Sequence, residues 1–298
     1  MKSFSFGGVF IEKWLVISYN SIVENGGVDM SCNHNCSTCS SKGSCSEKQF
    51  FQTTKSNIKH IIGVMSGKGG VGKSTVTSLL ALNMALKGYK VGILDADITG
   101  PSIPHAFGLK GRLKGSNNEM YPLETKLGIK IVSINLLLND SNEPVVWRGP
   151  ILGNAVKQFY SETVWGDIDY LFIDMPPGTS DIQLTVLNNI PLSGVIMVSS
   201  PQDLVSMVVS KCVNMVKKVN VNIIGLIENM SYIKCPCCDN KIEIYGKSHL
   251  NEIAKKHHLI PLANLGIDTK LSSLMDEGRL EEYHTSDLDV ALNQIIML

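Results

Sequence analysis

The sequence predicts an α/β domain on a doubly wound, mostly parallel sheet, preceded by a cysteine-rich tail. Three observations predict it. Short apolar runs recur between His60 and Ala263: "HIIGVMS", "KVGILD", "IKIVSI", "DYLFID", "GVIMVSS", "NIIGLIEN" and "LIPLA". They lack in/out alternation, as strands buried on both faces do. Helical patterns lie between them, notably in "STVTSLLALNMALKG" and around 151–161, 203–219 and 247–257, and this alternation is that of a parallel sheet. Polar motifs gather at the carboxyl ends of the apolar runs, where such sheets bind ligands.

Composition sets the frame. Of 298 residues, 44% are apolar, enough for a sizeable core, and 27 basic residues balance 27 acidic ones. No global field draws the chain to nucleic acid or anionic lipid. No stretch approaches the roughly 20 apolar residues of a membrane span. Neither nucleic acid nor a membrane is therefore expected as a partner, and the expected compartment is the cytoplasm.

Residues 1–29 show no clear periodicity and end "ENGGVDM", so they are expected to be unstructured, with synthesis starting at Met30. Residues 30–57 are rich in Ser, Asn, Cys and Lys, with almost no apolar residue before Phe50. Such a segment cannot bury a core and would be ordered mainly by a metal. Residues 58–298 carry the strand–helix alternation. Gly88 closes the first helix, and "KVGILD" follows as the next strand.

Between the first strand and the first helix stands "GKGGVGKST", residues 67–75, which fits G-x-x-x-x-G-K-[ST]. Gly67, Gly69, Gly70, Val71 and Gly72 supply backbone amides that can face phosphates closely, and the helix N-terminus adds favourable dipole charge. Lys73 would neutralise the β- and γ-phosphates of ATP. The Ser74 hydroxyl would hold Mg²⁺, and Thr75 would add a phosphate contact. Lys68 is one cation more than the loop needs. Its geometric use is in a facing subunit, stabilising charge on the transferring phosphoryl group as an arginine finger does; a solvated surface lysine is the plainer alternative.

Acids end two strands. "ILDAD" offers Asp95 and Asp97, and "LFIDMPPGTSD" offers Asp174 and Asp181. Asp174 is placed to hold Mg²⁺ through water, and Asp97 could orient the attacking water; helix or turn capping is the plainer role for Asp95 and Asp181. Pro176 and Pro177 stiffen a loop whose one flexible point is Gly178, suited to sensing the γ-phosphate.

The motifs "KGGVGKST", "ILDADITGPSIP", "WRGP", "IDMPPGTSD", "ENMSY" and "CPCC" occur in the order seen in Mrp-type ATPases. The chain resembles that family from about residue 58 to 285, including its cytosolic iron–sulfur scaffold branch. The wider class is that of the MinD and nitrogenase iron-protein-like deviant P-loop proteins. The resemblance implies a nucleotide-sandwich homodimer in which Lys68 crosses to the partner, with Asn229 near the adenine base and Asp97 and Asp174 in the roles inferred above. It also implies slow ATP hydrolysis coupled to transfer of a [4Fe–4S] cluster to apoprotein clients.

The eight cysteines fall into three sets. Cys235 and Cys238 form C-P-x-C, which presents two thiolates to one metal, while a tetrahedral site or a cubane wants four. A homodimer solves this if each subunit contributes its pair at the two-fold axis, and the resemblance implies that arrangement. Cys237 departs from the family pattern and is a spare or alternative ligand. Cys32, Cys36, Cys39 and Cys45 form C-x₃-C-x₂-C-x₅-C, able to enclose a second [4Fe–4S] cluster; Cys32 stands closer to the rest than in the family, and His34 reads as a solvated tail histidine, with substitution as a ligand the alternative. A zinc ribbon is the rival to the bridging cluster. Cys212 lies on an apolar helical face with Leu204, Val208, Met215 and Val219 and reads as structural. Two other function classes remain open: an ATP-gated electron carrier using the same ligands, and a positioning ATPase of the MinD or ParA kind.

Overall fold

A computed structural model describes residues 50–53, 55–97, 102–116, 119–133, 136, 149–201 and 206–298. Cys32, Cys36, Cys39 and Cys45, the proposed start at Met30, and the first half of "WRGP" lie outside them. Residues 50–298 make one compact unit.

The first strand, β1 (Ser56–Ser66), starts earlier than its apolar run suggests. Its first residues alternate between half-buried and exposed, and Ser56–Ile58 pair in register with Gly166–Ile168. The polar residues of this half face solvent on one side only, which hides the strand from a search for apolar runs. Upstream, the Phe51 amide donates to the Asn189 carbonyl at 2.7 Å, and the Lys157 ammonium sits over the Phe51 ring.

Helix α1 (Lys73–Leu86) follows, then β2 (Val91–Asp95), the short α2 (Ile103–Ala106), β3 (Lys114–Ser116), β4 (Glu119–Tyr121), β5 (Leu123–Glu124) and β6 (Lys130–Ser133). The second half comprises α3 (Gly149–Ser161), β7 (Gly166–Asp174), α4 (Asp181–Asn189), β8 (Gly194–Ser199), α5 (Ser206–Lys218) and β9 (Ile223–Glu228). It closes with the hairpin β10 (Ile233–Lys234) and β11 (Lys241–Ile242), then α6 (Leu250–His257), β12 (Pro261–Asn264), α7 (Thr269–Asp276) and α8 (Asp289–Ile296). The two-residue strands β5, β10 and β11 are too short to leave a periodic signal.

Eight strands form one sheet in the order β12-β9-β8-β1-β7-β2-β6-β5, parallel throughout except β5 against β6. The chain steps from β1 over β7 to β2 and β6, returns to β7, then passes β1 to reach β8, β9 and β12. Connections thus leave β1 in opposite directions, and β1 ends at the switch point where such sheets bind ligands. Right-handed crossovers put α1 on one face and α3 to α6 on the other. With α1 pack α2 and α8.

Helix α1 carries most of the first face: Leu80, Leu82 and Met84 are fully buried. Each such side chain contributes about 1.5–3 kcal/mol through removal from water. On the strands, Gly92 admits the Trp165 ring, which a Cβ at that position would meet at 3.1 Å. Among the described residues no helix is long and apolar enough to cross a membrane.

Candidate nucleotide site and cysteine hairpin

The loop between β1 and α1 ends in Gly72 at φ 75°, a left-handed conformation that favours glycine. No side chain caps α1 and no acid stands in its first turn. Its first amides are therefore left without intrahelical partners, aimed where an anion would sit.

Register brings the acids to this loop. Asp95 and Asp174 are paired neighbours at the ends of β2 and β7. Lys73, only 5% exposed, lies 2.7 Å from Asp174 Oδ2 and 3.5 Å from Asp97 Oδ2. The Ser74 hydroxyl donates to the same Asp174 Oδ2 at 2.6 Å. A buried ammonium is costly unless paired, and here two carboxylates hold it. Triphosphate oxygens are the same kind of partner, so nucleotide binding exchanges one set of anions for another. A hydroxyl and a carboxylate side by side are also the hard oxygen donors that Mg²⁺ prefers.

Asp95 sits behind this cluster, accepting from the Ser133 hydroxyl at 3.0 Å and the Asp97 amide at 3.2 Å. Burial, and then the Asp174 carboxylate, push its carboxyl well above the usual 3.8. The folded state thus keeps a proton that the unfolded chain releases, so stability held at low pH is lost as pH rises through the folded value. Asp95→Asn is expected to raise the Tm of the nucleotide-free protein by an amount that grows upward from about pH 4. A difference independent of pH in thermal unfolding would contradict this.

Lys68 is exposed, and among the described residues it makes no ion pair. Its carbonyl accepts from the Ser66 hydroxyl at 3.0 Å. Beside the loop, the Gly178 amide donates to the Ser66 carbonyl at 3.0 Å, and Pro177 lies where a Cβ on Gly69 would meet it at 3.7 Å. The two loops expected to touch phosphate therefore also touch each other. Asp181 stands in the first turn of α4, which Ser180 caps. Cys212 is fully buried, its Sγ 3.9 Å from the Gly178 carbonyl and against Gly67.

Asn229 donates from its side chain to the Val71 carbonyl at 3.0 Å, beneath the loop. Next to it, Glu228 is 1% exposed and accepts from the Ser231 hydroxyl at 2.8 Å and the His249 amide at 3.2 Å. One short segment thus reaches the phosphate loop on one side and the root of the β10–β11 hairpin on the other. Glu228→Ala leaves the His249 amide unpaired and the Ser231 hydroxyl with only the carbonyl of residue 228 at 3.3 Å, with an expected loss of about 2 kcal/mol. Denaturant unfolding measures it, and hydrogen exchange should quicken over residues 233–249.

At the hairpin tip, the Cys235 amide donates to the Asn240 carbonyl at 2.9 Å and the Asp239 amide to the Cys235 carbonyl at 3.0 Å. Cys235 is half-buried, while Cys237 and Cys238 are exposed. The Cys237 amide, then the Cys238 thiol and amide, donate to the Cys235 sulfur and hold its pKa below the usual 9.0. Donors turned toward a sulfur favour its ionised form, which is the form that binds a metal. Among the described residues no group of three or more His, Cys, Asp or Glu is placed to hold a metal ion. A paired donor set open to solvent is what remains, with Ile242, Ile244 and Tyr245 exposed alongside it.

Sequence reasoning missed Thr77, Ser133 and Glu228. Thr77 stands four residues after Lys73, on the same helical face, which was the available signal. Glu228, a carboxylate ending a wholly apolar strand, was another.

Comparison with known proteins adds relatives. A family model described as NUBPL iron-transfer P-loop NTPase, within ParA, matches residues 57–297. The iron-sulfur cluster carrier protein of Clostridium perfringens is 46% identical over 258 residues, 83% of this chain and 90% of that protein. A nucleotide-binding protein from Archaeoglobus fulgidus, solved in complex with ADP, superposes with a TM-score of 0.70 at 43% identity, covering 78% of this chain and 91% of that one. The cell division ATPase MinD of Pyrococcus furiosus shares the fold, at a TM-score of 0.57 and 20% identity over 80% of this chain and 98% of that one.

Proposed function

This chain belongs to the NUBPL iron-transfer P-loop NTPase family, and from that membership we propose that it is an ATP-dependent carrier of iron–sulfur clusters. It binds ATP on residues 67–75 and holds a [4Fe–4S] cluster as cargo between the Cys235 and Cys238 pairs of two copies. It delivers that cluster to apoprotein clients in the cytoplasm. A second cluster on Cys32, Cys36, Cys39 and Cys45 belongs to the same reading.

The observation that carries the proposal is the half-site at the hairpin. Cys235 and Cys238 meet at one turn, the Cys235 sulfur accepting from its neighbours, and a cubane needs four thiolates. A second copy supplies the missing two, and exposed Ile242, Ile244 and Tyr245 give that contact an apolar margin. Cluster ligands shared between two chains are lost by half when the chains part, which is the physical basis for release.

At the other end of the site, Ser74 and Asp174 are the residues that would hold Mg²⁺, which supplies charge neutralisation on the β- and γ-phosphates. Lys73 leaves its two carboxylates for the phosphates, Asp97 orients the attacking water, and Lys68 reaches the nucleotide of the partner copy. Asn229 is expected near the adenine base while staying close to Val71. Because Glu228 and Asn229 are consecutive, movement of the phosphate loop is passed to the hairpin root within a few residues.

Anaerobic reconstitution with iron and sulfide, followed by mixing with apo-aconitase, tests this reading. Aconitase activity should appear in proportion to cluster lost from the carrier, with no reductant present. Activity that appears only with an electron donor would point instead to electron transfer.

A further inference from the structure

We propose that Thr77 is a positioning residue that fixes the plane of the Asp174 carboxylate throughout the nucleotide cycle. This rests on the ATPase reading above. Thr77 is fully buried in the second turn of α1. Its hydroxyl lies 2.7 Å from Asp174 Oδ1 and 3.0 Å from the Lys73 carbonyl. A hydroxyl has one proton, and both neighbours are acceptors. The shorter, charge-assisted partner takes it, so the bond is to the carboxylate and not the ordinary back-bond of a helical threonine.

The other oxygen has a different fate. Asp174 Oδ2 accepts from Lys73 at 2.7 Å and from Ser74 at 2.6 Å. Both donors are the groups that turn to phosphate and Mg²⁺ when nucleotide binds, and Oδ2 then loses both. Asp174 is itself fully buried, and of its three present side-chain partners only Thr77 stays in place. Thr77 faces the strand end and is too short and too deep to reach a phosphate. Its bond to Oδ1 persists, keeping Oδ2 aimed at the metal position. Outer-shell groups of this kind are worth about 10–100-fold in metal affinity or activity.

Thr77→Val removes the hydroxyl at nearly constant shape, Thr77→Ala removes it with less crowding, and Thr77→Ser keeps it. Two readouts are taken on the full chain. The first is Mn²⁺ affinity in the presence of ADP by electron paramagnetic resonance, which does not depend on turnover. The second is the split between kcat and KM for ATP. Thr77→Val and Thr77→Ala are expected to weaken Mn²⁺ binding about tenfold or more and to lower kcat similarly, with KM within about threefold. Thr77→Ser should stay within about threefold of wild type on every measure. If either hydroxyl-free variant binds Mn²⁺ as wild type does, or if Thr77→Ser loses as much as Thr77→Ala, the proposal is wrong. Wild type that binds Mn²⁺–ADP but never hydrolyses ATP would overturn the ATPase reading, while the Mn²⁺ comparison would still decide the role of Thr77.

Discussion

Lys68→Ala is expected to slow ATP hydrolysis by about 10³-fold or more while changing ATP affinity by less than about threefold. The loop already has its ground-state cation in Lys73, which is buried among carboxylates. Lys68 is exposed beside it and pairs with no acid among the described residues. A cation that contributes little to binding and much to turnover acts where charge builds in the transition state. If it acts in the partner's site, Lys68→Ala and Asp97→Ala variants should rescue each other on mixing. In a mixed dimer, the copy with intact Asp97 receives Lys68 from the other copy, so one of two sites is whole. At equal concentrations half the dimers are mixed, and activity should recover to about a quarter of wild type. A lysine acting within its own loop would give no recovery.

Cys235→Ala combined with Cys238→Ala is expected to lower cluster transfer to clients to background, with nucleotide binding unchanged. Both residues sit at the tip of a hairpin whose root is held by other groups. Glu228 fastens Ser231 and the start of α6, the Ile267 amide donates to the Tyr232 carbonyl at 2.7 Å, and Lys241 covers the Tyr232 ring. Removing two thiols at an open turn should therefore change folding stability by no more than about 0.5 kcal/mol. Unaltered transfer by this variant would remove the hairpin from the mechanism. Cys237→Ala alone should transfer normally if Cys235 and Cys238 are the ligands.

Much of the molecule is legible in its sequence. Doubly buried strands have no alternation to disguise them, and each apolar run from "HIIGVMS" to "LIPLA" contains or overlaps a strand of the sheet. The start of β1 escaped because half-buried and exposed residues alternate over 56–60, with Ile58 the one apolar side chain among them. The phosphate loop was legible because backbone geometry demands its glycines. What the spacing could not show is that Asp174 would be saturated by three side chains, since Thr77 meets it only after α1 packs on β7. Glu228 escaped for the same reason: its partners come from the hairpin root, the start of α6 and β12, which are distant in sequence or unremarkable in composition. Cys212 was read as a core residue and is one, but it packs specifically beneath Gly67 and beside Gly178.

If two chains complete one cluster site at the hairpin, that site should assemble without the N-terminal cysteines. A variant with Cys32, Cys36, Cys39 and Cys45 all replaced by alanine isolates that site. After anaerobic reconstitution with iron and sulfide, native mass spectrometry should show two chains carrying one [4Fe–4S] cluster, and apoprotein of lower association state when the cluster is removed. A full cluster on a single chain, or zinc in place of iron in the freshly purified protein, would contradict it.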